Sequence, residues 1–176
     1  MSATGNFQDF LETIASPALR AVALHWHQVR GMRAMPGWAD LSSSALSPHF
    51  KMLWGFHHDH QTGDFTGRLA GKHVMDWLGA NFWGASLKDL HPPHVFRDAH
   101  HFLSRVVTLP AAGRCTGRLF TSGGITVTGE RIALPLALDG VTGDGILGAS
   151  DYHDAPPPGP VDLIHENMEW YGISRP

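Results

Sequence analysis

The sequence predicts an α+β fold: a five-stranded antiparallel sheet with helices on one face and a helix at either end. Three observations carry that prediction. A stretch of apolar residues at helical spacing opens the chain, over residues 17–30. Two alternating apolar runs follow it, and three more close the chain before residue 152. Between these two groups of strands lie short helical turns and one longer amphipathic helix, so the elements run helix, two strands, helices, three strands, helix.

Each element has a local reason. Ser16 and Pro17 supply an N-cap and a first-position proline, and Leu19, Val22, Ala23, Trp26 and Val29 recur at helical spacing up to Gly31, a C-cap. Residues 1–16 carry no such pattern and read as a loose leader. Phe50, Met52, Trp54 and Phe56 alternate as one face of a strand, and Phe65, Gly67 and Leu69 alternate as its hairpin partner across the polar turn 59–64. Residues 72–91 hold two short helical turns. From Pro92-Pro93 onward, Val95, Phe96, Ala99, Phe102, Leu103, Val106 and Val107 share one side of a helix that ends near Pro110. Ser122-Gly123-Gly124 joins the next two strands as a hairpin turn. Ile132, Leu134, Leu136 and Leu138 form the apolar stripe of the second of these, where Pro135 marks an edge or a bulge. Residues 145–152 make the last strand. Ala155 to Pro160 is a stiff proline-rich spacer, and Val161, Ile164, Met168 and Tyr171 then recur as a tail helix. The organisation is therefore a leader (1–16), one domain (17–152) and a spacer with a C-terminal helix (153–176).

Composition narrows the function. Of 176 residues, 13 are basic and 16 acidic, a balance that offers no footprint for direct contact with nucleic acid. No apolar run approaches the ~18 residues of a membrane span, and the N-terminus has neither the basic nor the apolar region of a signal peptide. Cys115 is the only cysteine, which excludes a disulfide framework and suits a cytoplasmic protein. The glycine-rich stretches lack the lysine and following helix of a phosphate loop, and no nucleophile or metalloprotease motif is present.

Particular motifs resemble the PAS fold as found in short single-domain bacterial proteins. They are Met35-Pro36 with Ala39-Asp40-Leu41, Pro48-His49-Phe50, Phe65 to Gly71 with its Arg68-Leu69 pair, Gly84 to Leu90, Leu134-Pro135-Leu136, and Gly145 to Gly148. The resemblance spans residues 17–152. It implies a non-catalytic sensory or interaction module that holds a small ligand between sheet and helices. No kinase, cyclase or DNA-binding motif is attached, so the output implied is a separate signalling protein. Apolar end helices in such domains often pair with a second copy, which makes a homodimer the expected assembly; packing of the end segments back on their own sheet is the alternative.

Candidate site residues follow from the aromatic set that such a fold would gather around the cavity: Trp54, Phe56, Trp77, Phe82 and Phe102. For any single member of the set, plain core packing is the stronger reading. His100 lies at the border of the apolar helix face and is the candidate axial ligand if the pocket holds haem; the alternative is a boundary histidine with one hydrogen bond. The sequence has 13 histidines, and His57, His58 and His60 cluster around Asp59. Strand alternation sends His57 and His58 to opposite faces, so only His58 and His60 could converge, and no metal site is assigned. His94, Asp98 and His101 fall on the solvent side of the helix. Two rival functions stay open: a haem or metal sensor using these histidines, and a small isomerase- or dehydratase-like enzyme with a cone-shaped sheet and a buried His–Asp pair.

Overall fold

The computed structural model describes residues 3–78, 82–154 and 162–174. Helix α2 (Pro17–Arg30) begins where the sequence places it. The Ser16 hydroxyl accepts from the Leu19 amide, and Leu19, Val22, Ala23 and Trp26 are buried. Ahead of it the expected loose leader is ordered structure. Gly5–Asn6 forms a short strand, β1, and Phe7–Thr13 forms helix α1, closed by a capping box between Asn6 and Asp9. Phe7 and Phe10 are the reason, because both are buried beneath α2.

Helix α3 (Ser43–Leu46) and a 3₁₀ turn over Ser47–Met52 lead into strand β2 (Leu53–His58). The strand thus starts later than the Phe50 alternation predicts. Pro48 sits in the first positions of the turn, and Phe50 is left half exposed. Strand β3 (Phe65–Ala70) returns as the hairpin partner. Helices α4 (Lys72–Leu78) and α5 (Leu87–Leu90) are short, and α6 (Pro93–Thr108) is the long central helix. Strands β4 (Ala111–Ser122), β5 (Ile125–Leu136) and β6 (Gly145–Tyr152) follow.

The sheet is larger than expected. With β7 (Asp162–Leu163) and β8 (Glu169–Gly172) it has eight strands, in the order β1-β8-β4-β5-β6-β2-β3, with β7 on β4. The pairs linking β4, β5, β6, β2 and β3 are antiparallel. The mixed character comes from β1, which lies parallel to β8. The predicted tail helix is absent: Asp162–Leu163 (β7) and Glu169–Gly172 (β8) pair with β4 instead. Their side chains explain the choice. Trp170 and its neighbour Tyr171 enter opposite cores, which a strand achieves with adjacent residues and a helix does not.

Helices also cover both faces rather than one. One core lies between the sheet and α4, α5 and α6, and includes Phe56, Phe82, Phe102, Val106 and Phe120. The other lies beneath α1 and α2, and includes Phe10, Trp26, Ile132, Leu134 and Leu136. Helices α1 and α2 and the described part of the tail pack on their own sheet. Pro135 shows how the second core is closed. The β4–β5 register ends at Gly113–Ala133, so β5 is a local edge at Pro135, and the Pro135 carbonyl accepts from the Trp26 indole at 2.9 Å. The missing proline amide costs no ladder bond there.

Candidate functional site

Strand parity builds the site. On β5, Val127, Arg131 and Ala133 face α6, while Glu130, Ile132 and Leu134 face α2. On β6, Ile146, Ser150 and Tyr152 share the α6 side, and on β2 so do Trp54 and Phe56. Arg131 stands directly opposite Ser150 on one flank and Cys115 on the other. A polar row therefore crosses an otherwise apolar sheet face.

Above that row lies a cavity of about 60 Å³. One water needs about 10–15 Å³ of such space, so the cavity suits a small molecule better than a lone solvent. Trp54, Phe56, Val74, Phe82, Leu87, Ala99, Leu103 and Leu163 give it apolar walls. Arg131, Ser150, Tyr152, His91 and His165 give it one polar side. Two glycines make the walls fit. A Cβ at Gly148 would stand 2.2 Å from the Trp54 ring, so only glycine lets that indole lie flat on the sheet and donate to Ser150 Oγ at 3.0 Å. A Cβ at Gly67 would stand 2.0 Å from the Phe82 carbonyl, so only glycine admits the Phe82 loop this close to β3.

The electrostatics are set by one cation. Arg131 is 3% exposed. Its Nε donates to Ser150 Oγ at 3.3 Å, Nη1 to the Ile164 carbonyl at 3.2 Å, and Nη2 to the Leu119 carbonyl at 3.3 Å. Nη1 also meets His165 Nε2 at 3.3 Å. Among the described residues no carboxylate comes within ion-pair distance of it. Burial, with Arg131 adding repulsion, pushes His91 down to about 4. Burial, then Arg131, then His91 drive His165 well below the ordinary range. Both imidazoles are neutral at pH 7. Burial also raises the Tyr152 hydroxyl, which is hydrogen-bonded to Ser150 and Arg131, and pushes the Cys115 thiol up to about 12.

The structure treats the sequence-derived candidates unequally. Trp54, Phe56 and Phe82 line the cavity. Phe102 does not; it is fully buried behind His165, with ring centroids 5.5 Å apart. His100 does not line it either. Its Nε2 faces the Gly63 carbonyl at 3.1 Å and its Nδ1 the Ser104 hydroxyl at 3.3 Å, so both ring nitrogens are engaged outside the cavity. The Trp77 side chain lies outside the described residues. His58 and His60 do converge, with ring centroids 5.1 Å apart. Among the described residues no group of three or more ligating side chains is placed to hold a metal ion. The buried histidines that do face the cavity confront an arginine, not the aspartate that an acid–base pair requires.

Sequence reasoning missed Arg131, Ser150, Tyr152, His91 and His165. Arg131 carries no signal of its own: it follows Glu130 in the run Gly129-Glu130-Arg131-Ile132 and reads as one of two charges on the solvent side of a strand. His165 carries none either, because its segment reads as a helix.

This arrangement, a sheet with short helices and one long helix around a small cavity, is that of an α+β domain. A PAS domain family model matches residues 14–150, and the chain belongs to that family. No curated protein and no solved structure matches the chain. Among the described residues no helix is long and apolar enough to cross a membrane.

Proposed function

We propose that the chain is a non-catalytic sensory or protein-interaction module that binds a small, largely apolar ligand between its sheet and α6 and signals to a separate protein. The family supports a sensory or interaction role. The observation that carries the ligand is the cavity itself: apolar on most sides, bounded by Trp54, Phe56, Phe82, Ala99 and Leu103, and bearing a few convergent polar groups. The route for a signal is the C-terminal segment. Leu163 and His165 contribute to the cavity wall while β7 and β8 pair with the edge of β4, so occupancy and tail docking share residues. The haem reading gains no support from His100, whose nitrogens point elsewhere.

Native mass spectrometry of freshly purified protein, beside Ala99→Leu, tests this. Ala99 is 2% exposed on the cavity side of α6, so leucine there fills the space. The expected result is a small organic adduct on the parent protein that is missing from the folded variant. Equal adducts on both, or no binding of any small apolar probe to the parent, would remove the reading.

A further inference from the structure

The cavity has a sign. Arg131 carries a fixed positive charge, and every partner its hydrogens meet is neutral: a serine hydroxyl, two backbone carbonyls, an imidazole and a tyrosine. Its hydrogen bonds are thus satisfied while its charge is not. A buried ion in that condition is costly, and an opposite charge placed beside it recovers part of the cost.

The neighbouring histidine sharpens this. An arginine only donates, so His165 Nε2 accepts from Nη1. In the neutral ring the proton then sits on Nδ1. That nitrogen is buried and has no hydrogen-bond partner, although other parts of His165 retain some exposed surface. His91 Nδ1 is likewise buried and unpartnered, on a residue 7% exposed. Both rings line the same cavity as Arg131. An orphaned N–H donor beside an uncompensated cation calls for an anionic oxygen. The rest of the wall is aromatic and aliphatic, so the anion must ride on an apolar body small enough for the space.

We infer that the cavity takes a small organic carboxylate, its carboxyl group against Arg131 and the Nδ1–H of His165 and its apolar body against Trp54, Phe56 and Phe82. The inference rests on the ligand-binding reading above and adds the charge of the ligand to it.

Isothermal titration with matched acids and amides tests the sign. The probes are isovalerate beside isovaleramide, phenylacetate beside phenylacetamide, and toluene as an uncharged control. An acid is expected to bind at least tenfold more tightly than its amide. Arg131→Gln is expected to abolish the preference. His165→Phe keeps the ring volume and the arginine, guarding against a misfolded Arg131→Gln, and is expected to cut acid affinity by about tenfold while leaving the amide unchanged. Amides binding as well as acids, or an acid preference that survives in both variants, would overturn the carboxylate and leave the cavity reading intact. Failure of acids, amides and toluene alike would overturn both.

Discussion

Acidification should destabilise this protein through His91, by an amount the structure allows to be worked out. The folded-state value is about 4, against 6.5 for a free histidine. As pH falls below 6.5, the unfolded chain takes up a proton that the folded chain refuses until about pH 4. The unfolded state therefore binds more protons throughout that window, and stability declines as pH falls through it, then levels off below. Above pH 6.5 this group contributes no dependence. Integrating the difference between pH 7 and pH 5 gives about 2 kcal/mol from His91 alone. His165 adds in the same direction for the same cause. Other histidines lowered by burial, such as His58 and His25, act in the same direction within this window, so the wild-type slope alone does not isolate His91. The assay is urea unfolding by tryptophan fluorescence at pH 7 and pH 5, at fixed ionic strength, for the parent and His91→Leu. Because His91 Nδ1 has no partner to lose, leucine removes the titration at little other cost. The parent should lose about 2 kcal/mol more than the variant between the two pH values. Equal losses would refute the claim that His91 is buried and neutral beside Arg131.

Three further perturbations probe the frame of the site. Gly148→Ala drives a methyl into the Trp54 ring and should cost about 1–3 kcal/mol in urea unfolding, with a shift in tryptophan emission as the indole is displaced. Glu130, 5% exposed, accepts from the Ala15 and Ser16 amides and from Arg114 Nε at 2.7 Å. Glu130→Ala leaves Arg114 half of its pairing and should cost about 3 kcal/mol, with faster hydrogen exchange at the start of α2. Cys115 is fully buried with its thiol held up to about 12, so it should resist thiol reagents in the native protein and react stoichiometrically once unfolded.

How far the sequence reaches depends on the range of the interaction. Helices α2 and α6 announce themselves through Ser16-Pro17, Pro92-Pro93 and their apolar stripes, and the hairpins through their turns, because these signals are local. The tail was misread because Val161, Ile164, Met168 and Tyr171 fit a helical period. What decides its structure is the free edge of β4 and the two cores that Trp170 and Tyr171 enter, both distant in sequence. The cavity aromatics Trp54, Phe56 and Phe82 were legible as bulky residues on elements bound to meet. Arg131 was not, because the stripe Ile132–Leu134–Leu136 invites the assumption that its alternate positions face water. Strand β5 is covered on both faces, so the odd positions enter a second core instead. His91 and His165 gain their significance only from Arg131 and were invisible with it.

The most direct measurement follows indole N–H signals in nitrogen-15-edited NMR while a cavity-sized probe, isovalerate or toluene, is added. The fold supplies its own control. Trp54 donates to Ser150 in the cavity wall, whereas Trp26 donates to Pro135 on the opposite face of the sheet. Occupancy of the cavity should move the Trp54 signal saturably and leave that of Trp26 in place. Signals that move together, or a Trp54 signal indifferent to every probe, would contradict a ligand site between the sheet and α6.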